Sequence, residues 1–109
     1  MQLQTLTSVS LGAGVGTAAQ RKSAVEALDK DIASRDFHLT VGSAGQKWLL
    51  RTLSKEGKHD TALKVALQTT FPSWGYWLWL GATTCWENWS GYIRNPPPLC
   101  VDFLSNLCC

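Results

Sequence analysis

Between Val65 and Ile93 the chain carries one formally charged residue, Glu87, and it stands between Trp86 and Trp89. Five of the six tryptophans, Trp74, Trp77, Trp79, Trp86 and Trp89, crowd into the same stretch. Aromatic surface on that scale must be buried or matched to a ligand. A carboxylate, by contrast, is costly to desolvate unless it is hydrogen-bonded or left in a wet cleft. Two arrangements meet both demands. One is a tryptophan-rich core with Glu87 tolerated at its rim, since tryptophan is usually a core residue. The other is a sugar-binding cleft, where rings stack on C–H faces and the acid meets hydroxyls or a water.

The chain upstream reads as helical. Ser23 and Glu26 form an S-x-x-E capping box, and Ala24, Val25, Leu28 and Ile32 follow as an apolar stripe at helical spacing. This predicts a first helix fading near Ser34 to Asp36. A second is expected from Ser43, boxed with Gln46, through Trp48, Leu49 and Leu53 to a stop at Gly57. Asp60 then caps a third, through Ala62, Leu63, Ala66 and Leu67. Helices joined by so short a turn lie antiparallel, so this pair is an αα-hairpin. Pro72 ends helical continuation, and Ser73 to Leu80 is read as a short helix, apolar nearly all round and therefore buried. Trp77 and Trp79 are accordingly read as core. After Gly81, Thr83 to Cys85 favour an extended segment that delivers Glu87 to a surface.

The run Phe71-Pro72-Ser73-Trp74-Gly75-Tyr76 and the motif Gly81-Ala82-Thr83-Thr84-Cys85-Trp86-Glu87 resemble the bacterial and fungal-type α-L-rhamnosidases. Those enzymes carry a "YPSWGYM…GATTLWE.W" segment, and His38-Leu39-Thr40-Val41-Gly42 is similar to their "HLTTG". The likeness covers residues 36 to 91. It implies an all-α fold, part of an (α/α)6 barrel made of αα-hairpins, and hydrolysis of terminal non-reducing α-L-rhamnose linkages with inversion. It makes Glu87 the general base, and Trp74, Trp86, Trp89 and His38 the substrate-binding residues. The implied partner is a rhamnosylated glycan or glycoside, with no cofactor and no metal. An inverting site needs a second carboxyl as acid. The family places it in an acidic segment upstream that these 109 residues lack, so the isolated chain is expected to be nearly inactive.

The rest of the chain departs from that pattern. Asn88 stands where many members have arginine or leucine, and the histidine-containing stretch expected after the motif is missing. Residues 92 to 109 are therefore expected to be a divergent tail, residues 1 to 20 a flexible lead-in, and residues 21 to 91 the glycosidase part. Gly12, Gly14 and Gly16 superficially suggest a phosphate loop, but Thr17 fills the last glycine position and no Lys-Ser/Thr pair follows.

Composition removes other classes. The net charge is +2, with six lysines and four arginines scattered among eight acids, which is no nucleic-acid footprint. Cys85, Cys100, Cys108 and Cys109 lack zinc-site spacing and suggest no disulfide scaffold. The terminal Cys-Cys has no polybasic approach of the kind that accompanies prenylation. The longest apolar run, around Trp77 to Ala82, is too short to span a bilayer, and localisation stays open. Two alternatives from other classes are a tetratricopeptide-like helical-repeat module and a noncatalytic carbohydrate-binding protein.

Overall fold

The computed structural model describes residues 3–86 and 88–90. The elements are α1 (Leu3–Gly12), α2 (Ala18–Ser34), α3 (Ser43–Lys55), α4 (His59–Ala66) and α5 (Trp74–Trp79), and there is no strand among the described residues. The all-α expectation holds.

The hairpin of α3 and α4 forms as the sequence predicts. Gly57 sits at φ 80°, a conformation that penalises a Cβ, so the chain can turn sharply after α3. The Lys58 and Gly57 amides donate back to the carbonyls of Leu53 and Ser54 at 2.8 and 3.1 Å, closing the helix end. Asp29 on α2 then accepts from Lys58 Nζ at 2.7 Å and from the Thr61 hydroxyl at 2.6 Å, which docks the start of α4. At the other end of α2, Arg21 pairs with Glu56 at 2.6 Å. Both α3 and α4 begin differently from expectation. The N-caps are Gly42 and Lys58, neither giving a side-chain cap, where the sequence suggests Ser43 and Asp60.

α2 starts earlier than the stripe suggests. Its N-cap is Thr17, boxed with Gln20: the Thr17 amide donates to Gln20 Oε1 at 2.9 Å, and the Thr17 hydroxyl accepts from the Gln20 amide. Ser23 lies inside the helix. Thr17 and Gln20 satisfy two of the orphan donors at the actual helix start, the part that the sequence suggests for Ser23 and Glu26 six residues later. The buried positions of α2 are Val25, Leu28 and Ile32, as the periodicity requires.

Residues 3–12 form α1, where the sequence suggests a flexible lead-in. Its buried face is Gln4, Ser8 and Leu11, a stripe at helical spacing that is mostly polar. Each polar group has a partner. Gln4 donates to Asp31 at 3.1 Å and to the His38 carbonyl at 3.3 Å, and accepts from the Thr40 amide at 2.9 Å. The Ser8 hydroxyl donates to the Gln4 carbonyl, while the Ser8 carbonyl accepts from Thr52 at 3.1 Å. Helices α1 and α3 approach so closely that a Cβ on Gly12 would strike the Trp48 ring.

The core gathers Leu11, Val25, Leu28, Ile32, Leu39, Val41, Leu49, Leu53, Ala62 and Val65 from α1 to α4 and the α2–α3 connector. Leu63 and Leu67 do not join it; they are exposed on the outer side of α4 and just beyond it. A second cluster holds Trp77, Cys85 and Trp86, and Trp74 and Trp89 pack against both. Those two indoles join the helical hairpin to the tryptophan-rich segment.

Candidate functional site

α5 begins where Pro72 forbids earlier helix. The fully buried Ser73 caps it, its hydroxyl accepting from the Tyr76 amide at 3.0 Å. Gly75 packs so tightly that an added Cβ would strike the Gln68 carbonyl oxygen, which fixes the start of α5 on the chain leaving α4. Gly81, at φ 86°, ends α5, with the Ala82 and Gly81 amides returning to the Trp77 and Leu78 carbonyls at 2.9 and 3.0 Å. The chain then turns back through Thr83 and Thr84, without forming the extended segment expected, and buries Cys85 and Trp86. Cys85 is disulfide-bonded, although the cysteine spacing suggested no such framework.

Trp77 organises this return. Its ring stacks on Trp89 with centroids 4.4 Å apart and planes at 22°, and it meets Trp86 at 6.1 Å. Its indole N–H donates to the Trp89 carbonyl at 3.0 Å, and the Trp89 indole donates to the Val41 carbonyl at 2.7 Å. Residues around 89 are thereby tied to the His38–Gly42 connector, far away in sequence. Trp74 meets Trp89 edge-on at 5.7 Å.

Between this block and α3 lies a cavity of about 540 Å³. One wall is Gln46, Lys47, Leu50 and Arg51; the other is Trp74, Trp77 and Leu78, with Ala82 to Cys85 closing the end. The volume suits a small ligand, and the lining is mostly apolar with a few polar groups, as ligand pockets are. Its described lining carries two cations and no acid. Gln46 is 2% exposed, and its Nε2 has no hydrogen-bond partner.

The sequence-predicted residues do not all meet here. Trp74 lines the cavity. Trp86, 8% exposed, and the half-buried Trp89 stand among the packed indoles and not in the described lining. His38 lies elsewhere: Nδ1 is 3.0 Å from the Arg35 carbonyl and Nε2 is 2.7 Å from the Thr70 hydroxyl. Glu87 lies outside the described residues, between Trp86 and Asn88. Trp77 is buried as expected, but Trp79 is 77% exposed and Leu78 72%. A six-residue helix turns only one edge to its neighbours, so its other side faces out however apolar it is. Gln46, Lys47 and Arg51 were not foreseen, although positions 46, 47, 50 and 51 share one face of a helix. Among the described residues no group of three or more His, Cys, Asp or Glu could hold a metal, and no helix is long and apolar enough to cross a membrane.

The family model of the bacterial alpha-L-rhamnosidase 6 hairpin glycosidase domain matches residues 1–100, α1 included. The chain belongs to that family. An alpha-L-rhamnosidase of Streptomyces avermitilis is 44% identical over 71 residues, 65% of this chain and 7% of the relative. One from Formosa agariphila is 33% identical over 91 residues, 84% of this chain and 10% of the relative. The crystal structure of the Streptomyces avermitilis enzyme complexed with L-rhamnose superposes with a TM-score of 0.78 at 35% identity, covering 90% of this chain and 9% of that one. The native enzyme from Aspergillus terreus gives 0.76 at 31% identity, over 94% and 12%. The chain thus corresponds to part of a six-hairpin rhamnosidase domain, spanning 7% to 12% of the length of these relatives. Neither the helical-repeat alternative nor a noncatalytic binding protein is favoured by these matches.

Proposed function

We propose that this chain supplies the general-base side of an inverting α-L-rhamnosidase site, acting on terminal α-L-rhamnosyl linkages. Glu87 draws the proton from a water that attacks the anomeric carbon, while a carboxylic acid on the opposite face of the sugar protonates the departing oxygen. Inverting sites hold two such carboxyl groups roughly 6.5–9.5 Å apart, leaving room for that water. In this reading Trp74 offers a ring face to the sugar, Trp86 and Trp89 brace it, and His38 steadies the connector on which Trp89 is anchored.

The observation that carries the reading is the position of Gly81 to Cys85. Ala82 to Cys85 of this motif, which resembles that of the rhamnosidases, form one end of a ligand-sized cavity beside Trp74, and the sequence leads directly on into Trp86 and Glu87. The neighbour solved with L-rhamnose adds support for a rhamnose-containing substrate.

The test is a chimera in which residues 36–91 replace their counterpart in a full-length rhamnosidase. The chimera is expected to release L-rhamnose from an aryl α-L-rhamnoside, with the β-anomer formed first as seen by proton NMR. A folded chimera without hydrolysis would overturn the proposal.

A further inference from the structure

We infer that Gln46 reads the ligand of this cavity, its side-chain amide donating a hydrogen bond to a hydroxyl of the bound glycoside. The inference rests on the rhamnoside reading above and assigns to the site a polar contact outside the Trp-Glu motif. Gln46 lines the cavity between α3 and α5, is 2% exposed, and has an Nε2 with no hydrogen-bond partner. Buried polar side-chain atoms are nearly always paired, so an unpaired one needs an explanation.

Local structure offers none. Gln46 sits where a capping box with Ser43 would use it, yet α3 is capped by Gly42 with no side-chain bond. Nearby positions of the same helix, Leu49, Leu50 and Leu53, are apolar, and an apolar residue at 46 would avoid burying an amide. An orphaned donor lowers stability, because its lost hydration is not replaced. A ligand oxygen seated in the cavity would replace it.

The surroundings fit a sugar ring. Trp74 and Trp77 supply aromatic surface, while Thr83 and Thr84 add hydroxyls at the far end. A pyranoside has both an apolar C–H face and hydroxyls at its rim, and this lining addresses both.

The experiment uses the 109-residue chain, methyl α-L-rhamnopyranoside as probe, and Gln46→Met, which keeps length and volume but removes the amide. Binding is followed by tryptophan fluorescence, since Trp74 and Trp77 line the cavity. Wild type is expected to bind, and Gln46→Met to bind about 3- to 10-fold more weakly, the loss of one neutral hydrogen bond. Its melting temperature should match or exceed that of wild type, because an unpaired buried donor is gone. A lowered melting temperature or a variant that fails to fold would make Gln46 a structural residue and overturn the inference. So would unchanged binding by a stable variant, which leaves the rhamnoside reading intact. Absence of binding by the wild-type chain would overturn this inference, while hydrolysis by the chimera tests the rhamnoside reading separately.

Discussion

Asp29 is the residue on which the hairpin's attachment depends. Its carboxylate is held below the ordinary carboxylate range mainly by the Lys58 and Thr61 hydrogen bonds; burial opposes them, and the charges of Lys58 and Lys64 assist. A depressed pKa means that the folded state favours the charged form. The resulting stability is present above the unfolded value of about 3.9 and is lost as pH falls through the folded value. Wild type should therefore lose part of its stability between about pH 5 and pH 2. Asp29→Asn should melt a few degrees lower at pH 7, and the gap should close toward pH 2. Thermal melts across that range are the check, and a pH-independent gap would count against the linkage. Neither this contact nor the Arg21–Glu56 pair was legible in the sequence, because both link side chains more than 25 positions apart. Trp79 was misread for a different reason: periodicity reports that a residue is apolar, not which side of a six-residue helix finds a neighbour.

At the scale of elements, the sequence spoke clearly where burial is apolar. Val25, Leu28 and Ile32, and the Leu49, Leu53 and Gly57 series, gave α2 and α3 with their faces correct. It was silent about α1, whose contact face is carried by Gln4 and Ser8, so no apolar period marks it. These polar groups hold the helix through Asp31, the His38 carbonyl, the Thr40 amide and Thr52. Asp31 shows the balance involved. Burial pushes its pKa up, but hydrogen bonds from Arg35 and Gln4 outweigh that and bring it below the ordinary value. Gln4→Met should cost about 1–3 kcal/mol, because the Thr40 amide and Asp31 each lose a buried partner. A denaturant titration would show it as a lower midpoint. The contrast with Gln46→Met is instructive: the same substitution destabilises where the amide is paired and does not where it is orphaned. Equal effects at both positions would mean that the hydrogen-bond inventory does not govern stability here.

For the whole molecule, the motifs at His38–Gly42, Phe71–Tyr76 and Gly81–Glu87 carried the family, and the fold ties the first of them to Trp89, two residues past the last, through the Trp89–Val41 hydrogen bond. The cavity itself was not legible, since its α3 wall combines residues that alone look like an ordinary helix surface. The catalytic reading extends beyond this chain's span, because inversion needs a second carboxyl on the other face of the sugar. Glu87 must therefore be tested in a complete barrel. In the chimera carrying residues 36–91, Glu87→Gln keeps the shape of the side chain but cannot accept the water's proton. An activated aryl rhamnoside needs little help from the acid, so its hydrolysis isolates the base. The expected result is a fall in kcat of about 100-fold or more with KM little changed, and partial recovery with azide, a nucleophile that needs no deprotonation. A loss smaller than about threefold would contradict the account and make Glu87 a rim residue of a tryptophan core, because removing general-base catalysis should cost far more.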